Sequence, residues 1–145
     1  MDDFNEARSV LYGALSLLFM YKAAGKKPQD TIKLLGAIED SDFDGAATAS
    51  AKTLQKALEQ TDGFDKLEEE FDTLFMLPFG DAVPMSASVY YDDLEAGKPL
   101  LAVKEVLNLA ALRRDDDNFG DNEDNFGFVF ALFLWQARRK TPLQK

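Results

Sequence analysis

The chain of 145 residues is of single-domain length, and with 46% hydrophobic residues, 12 of its residues being Phe, it can bury enough apolar surface, at roughly 25 cal/mol per Å², to fold throughout. Acidic residues outnumber basic ones 26 to 16, and the net charge of −10 repels nucleic acid and favours a partner that carries positive charge. The absence of Cys and His excludes disulfides, thiol nucleophiles, thiolate zinc sites and imidazole bases, the usual parts of most hydrolases.

The first residues, Met1-Asp2-Asp3-Phe4-Asn5-Glu6, are acidic where a secretory signal is basic, which predicts a cytoplasmic protein. From Phe4, the residues Ala7, Leu11, Ala14, Leu15 and Leu18 fall at helical spacing, with Leu17, Phe19 and Tyr21 widening the stripe. This first helix is expected to end at Gly25-Lys26-Lys27-Pro28, where Gly caps and Pro28 opens a short second helix running to about Glu39. Asp40-Ser41-Asp42 offers capping oxygens, and the Ala-rich run from Phe43 to Gln60 predicts a third helix. Thr61-Asp62-Gly63 breaks it, and Phe64, Leu67, Phe71, Leu74 and Phe75 give a fourth that ends at Pro78, with Phe71 and Leu74 expected in the core.

Residues Phe79 to Lys98 show no sustained period and are read as a long irregular connection of the kind that often carries function. Pro99, Leu100, Val103, Leu107, Ala110 and Ala111 predict a fifth helix stopped by Arg113-Arg114. The last helix, about Glu123 to Lys140, is apolar nearly all round through Phe126, Phe128, Val129, Phe130, Leu132, Phe133, Leu134 and Trp135. At about half of the roughly 20 residues a membrane span requires, the stretch Phe126 to Trp135 belongs in a protein core. Such a helix needs cover on both sides, from earlier helices or from a second chain. The expectation is therefore an all-α fold: one domain over residues 1–145, a helical bundle of about six helices with a long irregular loop between helices four and five.

Asp115, Asp116, Asp117, Asp121, Glu123 and Asp124 crowd one short loop with no basic residue among them. Read as a calcium loop starting at Asp115, it fails, because Phe119 and Phe126 fall at ligand positions, so no metal is expected. It reads either as a solvated turn whose last members cap the final helix, or as a docking point for Arg or Lys. No glycine-rich phosphate loop is present and no pair of carboxylates is fixed across a cleft, so neither a cofactor nor catalysis is predicted. The aromatics and prolines from Phe75 to Tyr91 read either as packing under a loop or as a groove for a basic, amphipathic peptide.

These segments resemble the TorD/DmsD/NarJ family of redox-enzyme maturation chaperones, the likeness running from Arg8 to about Trp135. It is carried by Arg8-Ser9-Val10-Leu11-Tyr12-Gly13-Ala14-Leu15-Ser16-Leu17-Leu18-Phe19. A second part is Phe71-Asp72-Thr73-Leu74-Phe75-Met76-Leu77-Pro78 with Pro84-Met85-Ser86-Ala87-Ser88-Val89-Tyr90, in which Met85, Ser86 and Ala87 stand where Pro, Tyr and Glu are common in the family. The third, Asp121-Asn122-Glu123-Asp124-Asn125, is similar to the family's Glu-Pro-x-Asp-His box: Asp124 matches, Asp121 keeps the acid, and Asn122 and Asn125 replace Pro and His. The resemblance implies a cytoplasmic, non-catalytic chaperone that binds the apo-form of a molybdopterin-type redox subunit, often through its twin-arginine signal peptide. It implies Asp121, Asp124 and Asn125 as the client-contacting box, with Tyr12, Phe75, Pro84, Ser88 and Tyr90 lining the adjacent surface. The family continues past the box helix with further helices that this chain lacks, which predicts a homodimer, formed by exchange of helices, to cover the last one. Two other readings stay open on the residues: a helical interaction subunit without an export role, and an enzyme holding a divalent metal on carboxylates.

Overall fold

Helix α1 (Asp3–Phe19) presents the small buried residues Ser9, Gly13 and Ser16 toward the rest of the chain, and this lets its neighbours come close. A β-carbon at Gly13 would lie 3.3 Å from Leu34 Cδ1 and 3.9 Å from Leu134 Cδ1, so α1 is gripped from two sides there. The computed structural model describes residues 3–41, 44–78, 80–93 and 96–139. Among these it has eight helices and no strand, in agreement with the all-α expectation.

After α1 come a single turn, α2 (Ala23–Lys26), then α3 (Pro28–Asp40) and α4 (Gly45–Leu58). Pro28 sits in the first turn of α3, where its missing N–H costs nothing, and Asp44 caps α4 by accepting from Ala47 N at 2.9 Å. Asp42 and Phe43, expected as a capping residue and a helix start, lie outside the described residues. α5 (Gly63–Phe75) follows, and Ala14, Leu35, Ile38, Ala51 and Leu58 meet in a core against which Phe64 and Leu67 of α5 pack. Each fully buried leucine there is worth about 1.5–3 kcal/mol.

The chain then departs from the sequence expectation in several places. The first helix ends at Phe19 rather than running to Gly25, because Lys22 turns into a left-handed conformation (φ 57°) before α2. α5 ends at Phe75, and the chain doubles back so that Val83 N donates to Leu74 O at 2.7 Å; Leu74, expected in the core, is 42% exposed. The predicted irregular connection contains α6 (Ala87–Asp92), which packs against α7 (Lys98–Leu109). α7 is stopped ahead of Arg113-Arg114 by a left-handed Ala111 (φ 54°): Ala111 N donates to Asn108 O and Leu112 N to Leu107 O, the paired bonds that close a helix C-terminus.

α8 (Phe126–Arg138) runs antiparallel to α1 and makes its main packing there, with Gly127 against Phe19 at one end and the Tyr12 and Phe133 rings 5.2 Å apart farther along. A β-carbon at Gly127 would sit 2.6 Å from Phe19 O, so only glycine admits this approach. Phe130 packs on Phe19, Phe128 on Phe119 and Phe126 on Tyr90. The cover that an all-round apolar helix demands thus comes largely from its own chain, and Phe133 alone among its large apolar side chains is exposed, at 37%.

Candidate functional site

Asp124 is fully buried and ties the loop before α6 to the start of α8. Its Oδ2 accepts from Ser86 Oγ at 2.7 Å and from Ser88 N at 2.9 Å, while its backbone carbonyl accepts from Ala87 N at 3.1 Å. A single antiparallel bridge between Ser86 and Asn125, and a bond from Phe126 N to Met85 O at 2.9 Å, complete the junction. Burial works against the charge, but the Ser86 hydroxyl and the Ser88 N–H, the two donors in hydrogen-bonding geometry, hold the carboxyl below the usual carboxylate range. Oδ1 of Asp124 and Oγ of Ser88 are left buried without a partner of hydrogen-bonding geometry among the described residues.

Asn125 caps α8: its Oδ1 accepts from Gly127 N at 2.9 Å, the role considered for the loop's carboxylates. Its Nδ2 donates to Asp121 Oδ2 at 3.1 Å, which fixes the exposed Asp121 side chain beside the helix start. Asp121 is also held from behind, because Arg114 donates to its carbonyl, bonds Asp116 at 2.6 Å and lies 3.9 Å from Glu123. Lys104 adds a 4.0 Å contact to Glu123. Asp115 is engaged by the Asn118 side chain, which with the Asp117 and Asn118 N–H groups lowers its pKa against the opposing effect of burial. The six carboxylates are thus not one undivided acidic patch: several are spoken for by the chain's own donors.

In front of this junction opens a recess of about 440 Å³. Phe75, Leu77, Val83, Pro84 and Val89 give it apolar walls, and Asp121, Asp124 and Asn125 give it a polar side. Five of the residues expected to bind a client therefore converge: Phe75, Pro84, Asp121, Asp124 and Asn125. Tyr90 is exposed and does not line the recess, but its hydroxyl donates to Pro84 O at 3.0 Å and its ring packs against Phe126. Ser88 is wholly buried and serves Asp124 instead of facing outward. Tyr12 lies apart, packed on Phe133 with Arg8 over its ring, and lines none of this recess.

Sequence reasoning passed over Ser86, the hydroxyl that meets Asp124 across 38 positions, and Arg114, the cation that organises the acidic loop. Met76, Leu77 and Val83 were passed over too, though all three are exposed apolar residues at the rim, and an apolar run that fails to continue a helix was their only signal.

A protein-family model described as nitrate reductase delta subunit matches residues 40–141, a span that takes in every residue lining the recess. No curated protein and no solved structure matches the chain.

Proposed function

Because the chain belongs to the nitrate reductase delta subunit family, a family of redox-enzyme maturation chaperones and not of catalysts, we propose that it holds the apo-form of a molybdopterin-type oxidoreductase subunit in the cytoplasm, through that subunit's twin-arginine leader. One observation carries the reading: the apolar recess beside Asp121 and Asp124, in a chain of net charge −10. A leader sequence pairs basic residues with an apolar stretch, and this recess offers a complement to each. The exposed Asp121 carboxylate, steadied by Asn125 and Arg114, suits a guanidinium, while Phe75, Leu77 and Val83 suit the apolar stretch. Among the described residues no helix is long and apolar enough to cross a membrane.

Calorimetry with a synthetic leader at low and high salt tests the proposal. Binding is expected to weaken as salt rises, and Asp121→Asn to weaken it about tenfold, the equivalent of about 1.4 kcal/mol. A leader that binds no better than its Arg-to-Gln counterpart would overturn it. A homodimer is the second part of the proposal, supported by the half-open side of α8 at Phe133. Light scattering that finds a stable monomer at micromolar concentration would remove that part and leave the first intact.

A further inference from the structure

Beside the recess lies a second one of about 320 Å³, walled by Phe19, Tyr21, Phe71 and Phe119. The two are separated by a shared ridge of Met76, Met85, Asp121 and Asn125, residues that line both. This ridge has an unusual make-up for a partition: two flexible thioethers, of which Met76 is 48% exposed, flank an exposed carboxylate. The carboxylate is held in place, because Asn125 Nδ2 donates to one of its oxygens at 3.1 Å. The second recess is aromatic and continuous with the ring chain that links Tyr21 to Phe71 and Phe71 to Phe75, the last of which faces the first recess. Lys26 stands at its edge and is the sole cation among the residues lining either recess.

We propose that the two recesses are halves of one docking groove, whose ligand is a peptide segment of a partner protein bearing two apolar anchors on either side of a basic residue. One anchor enters each recess, the basic side chain lies across the ridge at Asp121, and Lys26 disfavours further basic residues beyond the second anchor. The inference rests on the reading of the first recess as a client site and adds the order of residues that the client must present. An extended peptide brings side chains at alternate positions to one face and a helix brings every third or fourth, so either form can set an anchor on each side of a central basic residue.

The test is fluorescence polarisation of the full chain with labelled peptides carrying Leu and Phe anchors around a central Arg, spaced for an extended or a helical form. Replacing either anchor by Ala is expected to weaken binding about tenfold, the effect of losing one buried large apolar side chain. Moving the Arg outside the anchors, at constant composition, is expected to weaken it similarly. Ala23→Trp, which fills the second recess, should make loss of one anchor silent and leave the other's effect unchanged. If one anchor contributes nothing in the wild-type chain, or residue order is immaterial, the two-part groove is overturned while the client reading of the first recess stands. If no peptide of the series binds and a complete leader does not bind either, both fall. The peptide series on the unaltered protein decides the matter even if Ala23→Trp fails to fold.

Discussion

Asp124 has no exposure to solvent and is still favoured in its charged form, because the donors of Ser86 and Ser88 outweigh the cost of burial. Its carboxyl is more acidic in the folded chain than in the unfolded one, whose Asp side chains titrate at about 3.9. The stability it contributes is therefore complete above that pH and is lost as pH falls below it toward the lower folded value. Asp124→Asn is expected to cost about 1–3 kcal/mol at neutral pH and to flatten the acid limb of the stability curve, read by urea unfolding at several pH values. An unchanged acid limb would show that Asp124 is not the group responsible. At the end of α7, Ala111 occupies a left-handed conformation that glycine adopts without penalty. Ala111→Gly is expected to raise stability by about 0.5–1 kcal/mol with an unchanged urea m-value, and a loss of stability would contradict the paired-bond ending described for α7.

All six helices of twelve or more residues were legible: α1, α5, α7 and α8 from the recurrence of apolar residues, α3 from Pro28 at its start and α4 from its Ala-rich run, because elements of several turns give such signals room to show. α6 was not legible: Ser88, Val89, Tyr90 and Tyr91 are weak helix formers, and the turn is started by bonds from Ala87 N and Ser88 N to Asp124, more than thirty positions away. The same non-local bonds explain what could be read of the site. The stretch Asp121 to Asn125 stood out by composition, but nothing local decides that Asp121 faces out, that Asp124 turns in and that Asn125 caps. Tyr12 was misplaced for a related reason, since an aromatic on a helix gives no hint of which side of α1 will receive α8. Gly127 tests the α1–α8 pairing. Gly127→Ala would press a methyl into the Phe19 carbonyl and is expected to cost about 1–3 kcal/mol, measured by thermal or urea unfolding. A neutral result would mean the two helices sit farther apart.

Across the whole molecule the charge imbalance acts in two directions at once. A net charge of −10 pushes the folded chain apart while drawing cationic partners toward it. Raising salt from about 20 to 300 mM is therefore expected to raise the melting temperature and to weaken leader binding, opposite trends from one preparation. Parallel trends would place the binding energy in apolar contacts. The pairing of α1 with α8 joins residues 3–19 to residues 126–138, and the Asp124 junction lies where α8 begins. During translation the opening helix must wait for a mate more than a hundred residues behind it. A ribosome-bound fragment that stops short of Phe126 would lack the bond from Phe126 N to Met85 O and the helix that Asn125 caps, so under the proposed function a client would be held only once that late helix has emerged.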